Sequence, residues 1–238
     1  MICKIADLKV EVPAAGDLVS RCREYQICDT NEQHGADIAI EEGRFRPDAW
    51  KLLTGDAYIY MESGSHFYAQ LLRHNGLMLH SSAVALDGKA YLFSGPCGMG
   101  KSTHTRLWQT VFGDDAKVFN DDKPALRYVD GRWMAFGTPW CGKDGININM
   151  KAPIAGICFL KRGTENRIRR LSNAEAIQKI IWQTTKNFRK AESLDLLLGH
   201  VDSLVRHVPV FELENLPVPE AAQLSYETMR KCAEEMGI

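Results

Sequence analysis

This 238-residue sequence predicts an α/β fold with mixed, partly antiparallel sheets and helices gathered in its C-terminal part. Three observations carry that reading. Two strand-like runs, Leu77–Leu86 and Lys89–Ser94, are joined by Asp87-Gly88, the two-residue chemistry of a tight hairpin, so these neighbours run antiparallel. A glycine-rich stretch, Gly95–Gly100, then leads into Lys101–Phe112, whose pattern is helical and which Gly113 closes. Finally, short strand patterns dominate the middle of the chain and helical patterns its last third.

Taken in order, residues 1–75 alternate strand-like runs (Cys3–Val12, Asp37–Ile40, Ala57–Met61) with turn-rich links such as Asp29–Gly35 and Glu41–Pro47, and carry no chemical motif. Ser65–Arg73 reads as a short helix with Phe67, Tyr68, Leu71 and Leu72 on one side. Beyond the glycine-rich loop and its helix come strands at Ala116–Asn120, Ala125–Val129 and Arg132–Phe136, the last two joined by Asp130-Gly131. Lys151–Lys161 holds a buried-looking strand, AGICFL. Ser172 and Glu175 form a capping-box pattern opening a helix to about Thr185. A further helix over roughly Ala191–His207, a strand at Val208–Leu213 and a helix over Pro219–Met236 complete the chain. No Pro/Gly/Ser-rich linker interrupts it. We therefore expect one domain over 1–238: a strand-rich part without motifs (1–75), a core around the glycine-rich loop (76–163) and a helical part (164–238).

Charge and cysteine usage narrow the function classes. With 29 Lys+Arg against 30 Asp+Glu, the chain lacks the basic excess of a general nucleic-acid binder. Its longest uncharged apolar stretch, Ala152–Leu160, is too short to span a bilayer, and the N-terminus lacks a signal-peptide core. The seven cysteines are odd in number and show no CxxC spacing, which reads as reduced thiols. A cytoplasmic protein is expected, without nucleic-acid or membrane partners.

The chemistry concentrates in Gly95-Pro96-Cys97-Gly98-Met99-Gly100-Lys101-Ser102-Thr103, which fits G-x4-G-K-[ST] and sits between a strand and a helix, as a phosphate-cradling loop requires. Glycines at 95, 98 and 100 free the backbone to present N–H groups to phosphate oxygens, and the helix N-terminus adds partial positive charge. Lys101 would reach the β- and γ-phosphates of a nucleotide, and the Ser102 hydroxyl would bind Mg²⁺. Asp121-Asp122 follow only twenty residues after Lys101, directly after the next strand, an arrangement unlike switch-type GTPases and motor ATPases. On a regular strand adjacent carboxylates face opposite ways; Pro124 marks a strand end at which both can turn to the phosphates. One would then ligate the metal and the other accept a proton from the attacking hydroxyl. As a bare turn, Asn120-Asp121-Asp122 would need no ligand at all.

His80, the strand–hairpin–strand, SGPCGMGKST, the early NDD and GTPWCGK together resemble HPr kinase/phosphorylase, more closely the shorter HPr-kinase-related proteins of bacteria. The resemblance covers about residues 77–163. The fold group also includes ATP-dependent phosphoenolpyruvate carboxykinase, so the implied fold is a P-loop kinase of that type. The resemblance implies a kinase using ATP and Mg²⁺ to phosphorylate a serine on a small protein or peptide, or a small metabolite, and a homo-oligomer. It implies that Asp121 is the general base, that Asp122 supports the metal beside Ser102, and that His80 lies close to the phosphates. The sequence departs from the family in lacking a larger N-terminal domain and the Arg-Gly signature, in whose region Gly137–Lys143 stands. This sets HPr itself, and the phosphorylase reaction, apart from what the residues support.

Other residues carry two readings each. His80 also fits a strand histidine satisfied by backbone. Lys143, between Gly142 and Asp144, suits phosphate contact or plain solvation. Arg162 and Arg189 are candidates for transition-state charge, and Arg162–Arg170 reads as a solvated hairpin able to receive an acidic peptide. Trp140 reads as core rather than pocket wall. Cys97, inside the loop, is expected to be the most reactive thiol. Two other classes compete with a kinase: an ATP-sensing regulator, which needs no general base, and carboxykinase-like chemistry on an oxo-acid, which needs a Lys/His pair. No lysine near His80 stands out in sequence.

Overall fold

The computed structural model describes residues 1–27, 35–46, 53, 55–184 and 191–238. The first run folds as a hairpin: β1 (Ile2–Ile5) and β2 (Leu8–Glu11) pair antiparallel, and β3 (Ile38–Ala39) adds parallel to β2. Cys3–Val12 is thus two strands rather than one. Ala6 and Asp7 turn between them at φ 53° and 58°, and no glycine marks the turn in the sequence. Helix α1 (Gly16–Arg21) follows, then α2 (Gly55–Leu71). The expected strand at Ala57–Met61 is instead the start of α2, and the expected short helix is its end. Its buried positions Ser63, Gly64, Phe67, Tyr68 and Leu71 recur at helical spacing, and Glu62, fully buried, is paired with Arg46. That polar burial hid the period from a hydrophobic count.

The main sheet is mixed, as expected. It comprises β4 (Gly76–Met78), β5 (Ser81–Leu86), β6 (Lys89–Ser94), β7 (Lys117–Asp122), β8 (Ala125–Val129), β9 (Arg132–Phe136), β10 (Lys151–Arg162), β11 (Arg167–Arg170) and β12 (Val210–Asn215). The order is β4-β8-β9-β10-β6-β5-β7, with β12 on β10 and β11 on β12. β10 runs parallel to β6 and β12; the other pairs are antiparallel. Leu86 pairs Lys89 across Asp87-Gly88, both at positive φ, as the hairpin reading requires. The run Leu77–Leu86 breaks at Leu79-His80, where Leu79 bridges to Thr184. Arg162–Arg170 is not a hairpin: β11 pairs with β12 and not with β10, and Arg167 and Arg169 meet Glu165, Glu175, Glu212 and Glu214.

Strand alternation sends side chains to two helical layers. From β6, Tyr91 and Phe93 pack with Trp108 of α3 (Lys101–Phe112) and Met229 of α6 (Pro219–Glu235). Ala90 and Leu92 face the opposite core, with Ile180 of α4 (Asn173–Gln183) and Leu197, Val201 and Leu204 of α5 (Ala191–His207). Ser172 caps α4 with the expected reciprocal Glu175 bonds. A third cluster joins the N-terminal sheet to α2, Phe136 and Trp140. Among the described residues, no helix is long and apolar enough to cross a membrane.

Candidate functional site

The site forms where β6 ends and α3 begins. Gly95, Gly98 and Gly100 take φ values of 148°, 74° and 98°, which side-chain-bearing residues rarely adopt. A Cβ on Gly98 or Gly100 would meet nothing within 4 Å, so backbone conformation rather than crowding demands glycine, and the space beside the loop is open. Pro96, Cys97 and Gly98 are exposed, Met99 is half-buried, and its N–H closes the loop on the Pro96 carbonyl at 3.2 Å. Lys101 is buried, and its Nζ donates to the carbonyls of Gly95 at 3.1 Å and Pro96 at 3.3 Å. Burial lowers its pKa, against the pull of the Asp122, Cys97 and Asp121 charges. Thr103 is exposed two residues further on.

The acidic pair arrives from β7. Ser102 Oγ donates to Asp121 at 3.0 Å (Oδ1) and 2.9 Å (Oδ2). Asp122 Oδ1 lies 2.8 Å from His80 Nε2, and its Oδ2 accepts from Lys123 Nζ. Burial pushes the Asp122 pKa up, but the His80 hydrogen bond and the Lys123 charge outweigh it and hold the carboxyl far below the usual range. Asp122 sits at φ 96°, a conformation costing roughly 1–3 kcal/mol for a non-glycine residue. That local departure from strand geometry accompanies the turn in which Asn120, fully buried, receives the Lys123 N–H on Oδ1 at 3.0 Å and donates to the Thr138 carbonyl at 3.0 Å. His80 is therefore engaged by side chains, and the backbone-satisfied alternative fails. Its Nδ1 lies 3.0 Å from Gln183 Oε1.

A second loop closes over the pair. Gly142 donates its N–H to the Asp121 carbonyl at 2.7 Å, and Asp121 donates its own to the Ile146 carbonyl at 3.2 Å. Lys143 is exposed, with no hydrogen bond or ion pair among the described residues. Trp140 is core, stacked on Phe67 at 4.7 Å with its indole N–H on Ser63 at 3.0 Å. The N-terminal part buttresses this loop: Arg21 reaches Cys141 Sγ and stacks over Tyr60 at 4.8 Å, while Asn147 and Asn149 donate to the carbonyls of Arg21 and Glu24. Arg162 Nη2 donates to the Gly98 carbonyl at 3.0 Å, which places it at the glycine-rich loop. Arg189 lies outside the described residues, as does Cys28.

Sequence reasoning missed Lys123, Gln183 and Arg21. Lys123 directly follows the acid pair, a signal visible in the sequence, and the fold links it through Asp122 to His80. Gln183 and Arg21 carried no signal, because their partners are distant in the chain.

Fold and site define an α/β protein whose glycine-rich strand–helix loop faces a pair of carboxylates. Residues 57–216 match the family model described as SynChlorMet cassette protein ScmC, and the chain belongs to that family. No curated protein matches the sequence. Among solved structures it is similar to the Hpr(Ser) kinase/phosphatase from Coxiella burnetii, at 10% identity and a TM-score of 0.38, over 67% of this chain and 92% of that one.

Proposed function

We propose that this protein is an ATP-dependent phosphotransferase that moves a phosphoryl group to a serine hydroxyl of a small protein or peptide. The observation that carries the reading is the contact of Ser102 with Asp121 at the mouth of an open glycine loop whose Lys101 is held, among the described residues, by loop carbonyls alone. The residues fit a nucleotide polyphosphate with Mg²⁺: open space beside positive-φ glycines, a helix N-terminus, a lysine and a hydroxyl. When bound, that group supplies the phosphoryl to be transferred and a divalent charge to neutralise it.

The chain's own residues divide the work. The loop 95–100 and Lys101 would bind and orient the phosphates, and Ser102 and Asp122 would hold the cation. Asp122, kept ionised by His80 and Lys123, is a poor proton acceptor but a good fixed charge. Asp121, engaged by a neutral hydroxyl, is the better acceptor for the serine proton. Arg162, bonded to the Gly98 carbonyl, would add positive charge beside phosphate oxygens, and Lys143 would be a second such charge.

The test is transfer from γ-labelled ATP with Mg²⁺ to fractionated lysate, comparing wild type with Asp121→Ala and Lys101→Ala. Label in one discrete species, lost in both variants, supports the kinase. Tight ATP binding without transfer, unchanged in Asp121→Ala, overturns it in favour of a nucleotide sensor. The His80–Asp122–Lys123 cluster also favours a second reading, phosphoryl chemistry on a small oxo-acid, which the same assay with such an acceptor distinguishes.

A further inference from the structure

We propose that Gln183 is a positioning residue of this site, holding the His80 ring so that Nε2 stays on Asp122; the role rests on the phosphotransfer reading above. Helix α4 ends at Gln183 against the break between β4 and β5. Main-chain bonds pin that junction: the His80 N–H donates to the Gln183 carbonyl at 2.7 Å, and Thr184 Oγ1 donates to the Met78 carbonyl at 2.7 Å. The Gln183 side chain then meets His80 Nδ1 at 3.0 Å, while Nε2 faces Asp122 Oδ1 at 2.8 Å. An imidazole has two polar atoms, and here both are occupied by residues from different elements, so the ring can neither rotate nor tilt without losing a bond. Whichever way the Gln183 amide is turned, its oxygen accepting or its nitrogen donating, one hydrogen bond to Nδ1 results.

The consequence is a chain of contacts from the helical layer to the carboxylate. Asp122 is held on one oxygen by Lys123, its sequence neighbour, and on the other by His80, whose orientation depends on a residue 103 positions away. The main-chain bond survives any substitution at Gln183, so changing the side chain isolates its own part.

The experiment uses the full chain labelled with ¹⁵N-histidine, His80 being assigned by its loss in His80→Asn. Gln183→Met keeps length and removes the hydrogen bond; Gln183→Glu keeps an acceptor. We expect the His80 Nδ1 resonance to be displaced in Gln183→Met. Label transfer from γ-labelled Mg-ATP to the lysate acceptor should fall about 10- to 100-fold in kcat with KM for Mg-ATP little changed, the penalty for a misplaced catalytic group. Gln183→Glu should recover that loss only as far as Nδ1 carries a proton for its carboxylate to accept. An unmoved Nδ1 resonance in Gln183→Met overturns the proposal, as does an effect confined to KM. If the wild type binds Mg-ATP but transfers label to no acceptor in the lysate, the phosphotransfer reading falls, and the resonance still decides whether Gln183 holds His80.

Discussion

Ser102 Oγ spans both carboxylate oxygens of Asp121, at 3.0 and 2.9 Å, joining the first turn of α3 to the end of β7. This contact ties the loop that would hold phosphate to the group that would take the proton. Asp121→Asn should therefore lower phosphoryl transfer by about 10²–10⁴-fold, the usual worth of a positioned general base. Nucleotide affinity, measured by titration calorimetry, should change little. Asp122→Asn should differ, weakening the Mg²⁺ dependence of nucleotide binding, because it removes charge rather than a proton acceptor.

Lys101→Ala removes the cation at the loop. We expect Mg-ATP affinity to drop by at least about tenfold, or ~1.4 kcal/mol. Thermal stability without nucleotide should be nearly unchanged or improved, since a buried ammonium whose pKa is lowered by desolvation is itself a burden on the fold.

Cys97 is the one exposed cysteine among the described residues; Cys3, Cys22, Cys141, Cys158 and Cys232 are buried. Brief alkylation of the native protein should modify Cys97 first, as mass spectrometry will show, and should block nucleotide binding by filling the loop. Prior saturation with Mg-ATP should slow the modification. Retained ATP binding after complete alkylation of Cys97 would sink the idea.

Acid should destabilise the fold through His104. Burial lowers its pKa to about 3 from 6.5. Its Nε2 lies 3.1 Å from Ser225 Oγ, which also accepts from the Trp108 indole at 3.0 Å, and its Nδ1 has no hydrogen-bond partner among the described residues. The unfolded chain binds the proton below pH 6.5 and the folded one does not until about 3, so stability is full above 6.5 and falls as pH drops through that window. The slope approaches about 1.4 kcal/mol per pH unit. His104→Gln should flatten it in urea titrations at pH 7, 6, 5 and 4.

Arg21→Ala should loosen the loop at Cys141–Asn149. It removes the guanidinium from Cys141 and Tyr60 but leaves the side-chain amides of Asn147 and Asn149 their bonds to the carbonyls of residues 21 and 24. Faster hydrogen exchange at Gly142 and Ile146, with the N-terminal hairpin unaffected, is the expected signature.

Local chemistry made much of this legible. Lys101–Phe112, Ala125–Val129 and Arg132–Phe136 stand where hairpin, loop and periodicity placed them, since each is bounded by a glycine turn or motif. Ala57–Met61 misled because aromatic residues crowd the outset of a helix whose buried face includes Glu62. The site's first layer was readable because Lys101, Ser102 and Asp121 lie within one strand–helix–strand unit. Its supports were not, because Gln183 reaches His80, and Arg21 reaches Cys141, only through tertiary packing.

The strand β10 sets how the chain can be divided. Among the described residues it is the sole partner of β6 other than β5, and it carries β12 as well as β9. A fragment cut to the motif-bearing stretch would end near residue 163. It would keep His80, Lys101, Ser102, Asp121 and Asp122, yet leave β10 with a naked edge where β12 belongs. Both of its faces would lie open, stripped of α4, α5 and α6. Such a piece would join copies of itself edge to edge before it bound any ligand. The smallest unit that can be expressed and assayed therefore reaches through α6, far beyond the residues that would touch the phosphates.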